Sequence, residues 1–286
     1  MIIGPGRLAA TDVLQECSMI EAEKDMRIQG IFFDLYGTLL AYGNMKQAWS
    51  DWLSTFYHLL KNQGLNIPKE TFAQECDGFF SSAEPAADEN NLTALERRID
   101  ALCLKLNHKL GKKELRPIAD RIAAAWQAHI SIDPQTAPVL SALKQNKKVG
   151  LVSNFDHPPH VRRVLSDNGL ESCFDTVIIS GEVGVKKPDP AIFSFGLEQT
   201  GLAPNHVVYV GDTQEDVAGA IAAGIHPIFL ARPHNRPNSD ALDYQSAYPD
   251  EDLLKNRPCH HAVTVITSLQ EILDIAKTGE DNLHSR

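Results

Sequence analysis

The sequence predicts an α/β protein: a doubly wound, Rossmann-like parallel sheet with an all-helical domain inserted after its first strand. Three observations predict it. Short Val- and Ile-rich runs alternate with helix-length segments, as strands covered on both faces do. The long interval between the first two runs carries helical stripes and no strand pattern. Several runs also close on polar residues, at the strand ends where such sheets place their ligands.

The first run is Gln29-Gly30-Ile31-Phe32-Phe33, which stops abruptly on Asp34. The next are Lys148–Val152, Phe174–Ile179, His206–Val210, Ile225–Leu230 and Ala262–Ile266, each too short for a helix and rich in β-branched residues. Residues 42–132 differ: Trp49, Trp52, Leu53, Phe56, Leu59 and Leu60 recur at three-and-four spacing, the stripe of an amphipathic helix. Ser81-Ser82-Ala83-Glu84-Pro85 and Pro134 punctuate this region, and its aromatic stripe reads as core packing. The expected division is a peripheral extension over 1–29, a core over 30–41 and 133–275, a helical domain over 42–132 and a flexible tail over 276–286. The Pro-, Asn- and Asp-rich stretch 232–258 reads as a surface loop.

Composition excludes several function classes. Apolar residues at 43% and charged ones at 22% are ordinary for a globular chain, which excludes intrinsic disorder. No run approaches the roughly 18 apolar residues of a membrane span, and no basic-then-apolar signal pattern opens the chain. A net charge of -10 argues against nucleic acid or an anionic membrane as the main partner. The 5 cysteines form no CxxC pair, which fits neither a zinc knuckle nor a disulfide framework. The expectation is a reduced, cytoplasmic protein, with no oligomeric state implied.

The polar strand ends carry the chemistry. They are Asp34-Leu35-Tyr36-Gly37-Thr38, Ser153-Asn154, Lys187-Pro188-Asp189-Pro190 and Gly211-Asp212-Thr213-Gln214-Glu215-Asp216. Each alone has an ordinary reading as a turn or a helix cap; four in this order do not. A carboxylate at a strand end can attack an electrophile and split a hard displacement into two easier ones. For a phosphate substrate two negative partners must meet, and Asp34, Asp212 and Asp216 offer hard oxygen ligands suited to Mg²⁺. Thr38, Ser153 and the Lys187 ammonium could then grip the oxygens of the transferring group.

At this point the chain resembles the haloacid dehalogenase (HAD) superfamily of hydrolases. Phe33–Leu39, Val152–Asn154, Lys187–Phe193 and Val210–Asp216 look like its four ordered motifs, over about residues 30–275. The resemblance makes the helical insertion a cap domain in the C1 position. It implies Asp34 as nucleophile and metal ligand, Lys187 as the motif lysine, and Ser153 and Asn154 on the phosphate side. Asp212 would be the main metal carboxylate, with Asp216 nearby or acting through water. The backbone carbonyl of Tyr36 would complete the Mg²⁺ ligands, and a small phosphorylated metabolite would be the substrate.

One position departs from that pattern. Phosphatases of the superfamily usually carry Asp two residues after the nucleophile, as general acid and base, and here Tyr36 stands there, counted with Asp34 and Lys187 among the catalytic positions the resemblance implies. A phenol titrates near ~10, so it makes a poor base at neutral pH, and losing a positioned acid costs on the order of 10²–10⁴ in rate. Asp-x-Tyr-Gly-Thr is similar to the first motif of the dehalogenase branch, which displaces halide without Mg²⁺. Gly211-Asp212 with Asp216 is a metal-type fourth motif and points back to phosphoryl transfer. The leading expectation is a Mg²⁺-dependent phosphohydrolase; the alternatives are a 2-haloacid dehalogenase and a non-catalytic binding protein on the same fold. Tyr36→Asp is expected to preserve folding and raise activity on poor leaving groups. Asp156-His157-Pro158-Pro159-His160 reads as a capped helix entry rather than a metal site. Cys259-His260-His261 reads as loop.

Overall fold

The computed structural model describes residues 27–86, 91–232 and 263–277. Six strands form one parallel sheet, β1 (Gly30–Phe33), β4 (Lys148–Ser153), β5 (Thr176–Ile179), β6 (Val207–Gly211), β7 (His226–Leu230) and β8 (Thr264–Ile266), while β2 (Leu40–Tyr42) and β3 (Ile130–Ile132) form a separate pair. The spatial order is β5-β4-β1-β6-β7-β8. The chain therefore builds outward on one side of β1, then crosses to build on the other, and the order reverses between β4, β1 and β6. Register is direct, with Phe33 beside Leu151 on one side and Val210 on the other.

The central strands are largely apolar because both faces of the sheet are covered there. Along β1, Ile31 and Phe33 join one core with Val149, Leu151, Val208 and Val210, while Phe32 joins another with Val152, Tyr209 and Phe193. The first face is covered by α5 (Thr136–Leu143), α6 (Pro158–Asp167) and α10 (Glu271–Lys277), the second by α8 (Ala191–Thr200) and α9 (Gln214–Ala222). Between α6 and α8 lies the short α7 (Ser180–Val183).

The insertion after β1 is helical, as expected: α1 (Met45–Asn62), α2 (Lys69–Glu75), α3 (Ala94–Lys105) and α4 (Lys112–Gln127). It has its own apolar core, with Trp52, Phe56, Phe72 and Phe79 buried among Ile99, Leu115 and Ile122. One expectation is corrected here. The interval is not free of strand, because β2 (Leu40–Tyr42) and β3 (Ile130–Ile132) pair antiparallel where the chain leaves and re-enters the sheet domain, Leu40 facing Ile132. Three residues are too few to show alternation, and their pairing partner lies about ninety positions away, so no local pattern marks them. The last helix also runs through Ala276 and Lys277, two residues into the stretch read as tail. Most of the 232–258 loop, the Cys259-His260-His261 segment and nearly all of the N-terminal extension lie outside the described residues. Among the described residues no helix is long and apolar enough to cross a membrane.

A second seam joins the insertion to the sheet domain. Arg98 pairs with Asp156 at 2.8 Å, and the Leu95 amide donates to the Asp156 carbonyl. His157 sits at the N-cap position of α6, ahead of Pro158, as its sequence suggests. Its ring does not cap the helix; it is fully buried between Thr93 (3.0 Å) and Asp120 (3.1 Å) of the insertion. His160, 3% exposed, meets Gln127 through Nε2 at 3.2 Å, while its Nδ1 has no partner among the described residues. Burial, with help from His157 and Arg163, pushes the His160 imidazole down to about 4. A depressed histidine favours the native state when neutral, so its contribution is complete above about pH 6.5 and is lost as pH falls toward 4. We expect on the order of 3 kcal/mol of stability to disappear across that window. His160→Leu should flatten the pH dependence of denaturant midpoints there; an unchanged slope would contradict this assignment.

Candidate active site

The reversal in strand order brings the carboxyl ends of β1, β4 and β6 together, and the chain after β5 returns over them. Asp34 follows β1 directly; its amide donates to the Val210 carbonyl, which continues the ladder and fixes where its side chain emerges. The next residues turn tightly, with the Leu39 and Leu40 amides donating to the Leu35 carbonyl. Gly37 has φ +89°, and a Cβ there would fall 2.1 Å from an Asp212 carboxylate oxygen, so the turn and the fourth motif require glycine. Gly211 is constrained likewise, since its Cβ would stand 2.3 Å from the Asp216 carboxyl carbon.

Lys187 is the centre of the site. The residue is 3% exposed, and its ammonium spends its three N–H groups on Asp34 Oδ1 (2.6 Å), Asp216 Oδ1 (2.6 Å) and the Tyr209 hydroxyl (2.9 Å). Burial alone would lower it, but Asp216 and Asp34 outweigh that and hold it raised, so it stays charged. Burial pushes the Asp34 carboxyl up to about 7, although Lys187 opposes the rise. Lys187 pairs with two of three buried carboxylates, and Asp34, Asp212 and Asp216 present oxygens that all lie within 4.8 Å of one another. Hard carboxylate oxygens gathered this closely fit a divalent cation such as Mg²⁺.

Each remaining sequence candidate can be placed. Asp216 Oδ2 accepts from the Thr213 hydroxyl (2.7 Å) and from the Thr213 and Asp212 amides, so both of its oxygens already hold protein donors. The Thr38 hydroxyl points to Asp212 Oδ1 at 3.3 Å, in full burial. Asn154 takes the Lys187 amide on Oδ1 (2.9 Å) and gives Nδ2 to the Lys187 carbonyl (3.0 Å), clamping that backbone. Ser153 Oγ is buried on the cavity wall with no partner among the described residues. A hydroxyl left unpaired beside three carboxylates is what a bound oxyanion would satisfy.

Tyr36 is not placed as an acid. Its ring stacks on Phe155 (centroids 5.1 Å, 22°) and leans on Trp126 (5.1 Å), and its hydroxyl donates to Gln127 of α4 at 3.0 Å. Burial, and then the Asp34 charge, raise the phenol further above its ordinary range.

Two participants escaped the sequence reading. Tyr209 looked like one more apolar strand residue, yet its hydroxyl ties Lys187 to Asp216 and to the Val152 carbonyl. A tyrosine three residues before Asp212 on a fully buried strand was the available signal. Arg232 donates to the Gly37 and Thr38 carbonyls and pairs with Asp133, bracing the nucleophile loop from behind. No local pattern announces it.

This fold and site define a hydrolase of the haloacid dehalogenase class, and the comparisons with known proteins agree. The family of haloacid dehalogenase-like hydrolases matches residues 28–224, and the chain belongs to it. The chain is 40% identical over 112 residues to the pyrimidine 5'-nucleotidase YjjG of Escherichia coli, a stretch covering 38% of this chain and 48% of that protein. It thus spans about half the length of that relative. The fold is similar to a HAD phosphatase from Thermococcus onnurineus, with 23% identity, TM-score 0.57 and coverage of 86% of this chain and 97% of that one. It is equally similar to a 2-haloacid dehalogenase from Pseudomonas syringae pv. Tomato, at 20% identity, TM-score 0.57 and coverage of 87% and 97%.

Proposed function

We propose that this hydrolase is a Mg²⁺-dependent phosphohydrolase that acts on a small phosphorylated metabolite through an aspartyl-phosphate on Asp34. The observation that carries the reading is the trio of buried carboxylates, two of them paired with Lys187. A dehalogenase gains nothing from gathering Asp212 and Asp216 beside its nucleophile, whereas a phosphatase must offset the charge of a phosphate dianion. The nucleotidase named above is a relative in keeping with a phosphate substrate.

Asp34, Asp212 and the Tyr36 backbone carbonyl would hold the ion, with Asp216 acting through water because its own oxygens are engaged. When bound, the ion neutralises charge between carboxylate and phosphate. Ser153 takes a phosphoryl oxygen, and Lys187 supplies positive charge beside Asp34; Asn154 fixes the Lys187 backbone, and Thr38 orients Asp212. An Asp34 oxygen attacks phosphorus, the bond to the leaving oxygen breaks, and water then cleaves the aspartyl-phosphate to release inorganic phosphate. Tyr36 donates no proton in this scheme. Asp34→Asn removes the nucleophile in a nearly isosteric way, so phosphate release from p-nitrophenyl phosphate should fall to background while circular dichroism stays native. Turnover within tenfold of wild type in a folded Asp34→Asn protein would overturn the covalent route.

A further inference from the structure

The phosphate end of the site opens into a cavity of about 490 Å³ between the sheet domain and the insertion, the size of a small-molecule pocket rather than of a phosphate group alone. Much of its lining is charged, and the charges can be accounted for one at a time. Of its carboxylates, Asp34 and Asp216 pair with Lys187, Asp156 with Arg98 and Glu84 with Arg97, while Glu215 accepts from Asn154 Nδ2 at 3.3 Å. Of its cations, Arg98 and Lys187 are spent in those pairs. Lys186 is the third. It is exposed, and its ammonium has no hydrogen bond or ion pair among the described residues.

Two features set Lys186 apart from an ordinary solvated lysine. Its backbone is fixed, because its carbonyl accepts from the Asp189 amide at 3.0 Å and Asn154 holds both the amide and the carbonyl of the next residue. Its ammonium also stays unpaired in a lining rich in carboxylates, although it lies close enough to Glu215 for its charge to act on that carboxyl. A cation on a fixed stem, next in the chain to the lysine of the phosphate site and left without a counter-ion, is matched by an anionic group on the ligand itself.

Resting on the phosphatase reading above, we infer that Lys186 is a specificity-determining residue and that the substrate is a phosphate monoester carrying a second anionic group, away from the phosphate that is cleaved. Lys187 cannot serve that group, because its three N–H groups are spent within the site. Arg98 cannot either, since its guanidinium holds Asp156 and the Phe79 and Ser82 carbonyls. Lys186 reads the far end of the substrate and takes no part in making or breaking bonds. An ester whose remainder is neutral gains nothing from it.

Three esters of one chain length test this: propyl phosphate, the phosphate ester of 3-hydroxypropanoate and propane-1,3-diol bisphosphate, each assayed in Mg²⁺ together with its four-carbon counterpart. An ester with a charged tail should exceed the neutral one in kcat/KM by about tenfold or more, the scale of one hydrogen bond to a charged group. Whether the carboxylate or the second phosphate is preferred identifies the anion. The preference should reside in KM and fade as salt rises, because Lys186 is exposed. Lys186→Gln should bring the ratio of charged to neutral ester down to about one, and Lys186→Arg should keep it high. Equal kcat/KM for the charged and neutral esters, or a preference that survives Lys186→Gln, would overturn the inference while Mg²⁺-dependent hydrolysis of p-nitrophenyl phosphate upholds the phosphatase reading. No turnover of any ester, p-nitrophenyl phosphate included, would overturn both.

Discussion

Lys187→Met should destabilise the protein by about 3–5 kcal/mol in the presence of chelator, the usual cost of removing one partner from a buried ion pair. Methionine nearly matches the length of the lysine, so little volume is lost and the effect isolates the charge. It strips the 2.6 Å partner from Asp34 and from Asp216 at once, and leaves the Tyr209 hydroxyl without its donor. Asp34 and Asp216 then lose the cation they share, beside the third buried carboxylate of Asp212. Because Mg²⁺ would supply the missing charge, its addition should recover more stability in Lys187→Met than in the wild type. Denaturant unfolding with and without Mg²⁺ measures both quantities. A loss below about 1 kcal/mol, a value suited to an exposed pair, would mean that Lys187 is not the keystone of the site.

The second large effect concerns Tyr36. From the sequence, Tyr36→Asp restores a missing acid at little structural cost. The structure reverses the second half of that expectation. The ring is 7% exposed, stacked on Phe155 and tilted on Trp126, and its hydroxyl crosses to Gln127 of the insertion. Asp would empty an aromatic site and bury a carboxylate near Asp34, so a loss of about 3–5 kcal/mol is expected, the range for deleting a core aromatic. Tyr36→Phe keeps the ring and removes one hydrogen bond, for about 1 kcal/mol, and should leave kcat on p-nitrophenyl phosphate within a factor of about two. Thermal unfolding and steady-state kinetics on the two variants decide the matter. A Tyr36→Phe enzyme slowed by the roughly 10² or more of a lost general acid would show that the hydroxyl does take part in the chemistry.

These two residues also mark how far the sequence was legible. Asp34, Ser153 and Asp212 sit at strand ends, and apolar runs of four to six residues locate strand ends well; the sheet order then converges them, and the loop after α7 brings Lys187 in beside Asp34. The insertion was readable because an eighteen-residue helix such as α1 repeats its stripe often enough to be seen. What escaped depends on partners remote in sequence. Tyr36 and Gln127 are 91 positions apart, and Arg232 reaches back 194 to the Thr38 carbonyl. Asp216 and Asn154 lie beside Lys187, but their side chains face protein donors and backbone, a detail that hydrogen-bond accounting supplies and residue type does not. His157 illustrates the same point, since its position before two prolines marked a helix start and gave no hint that its ring would bind the insertion.

The central claim is that this site cleaves phosphate esters with Mg²⁺ rather than carbon–halogen bonds without it. The most direct measurement pairs two assays on one wild-type sample: phosphate release from p-nitrophenyl phosphate and chloride release from a 2-chloro acid, each with Mg²⁺ and with chelator. The carboxylate trio predicts phosphate release that requires Mg²⁺ and is abolished by chelator, with no chloride release in either condition. Chloride release that persists in chelator, with no phosphate release in Mg²⁺, would contradict it.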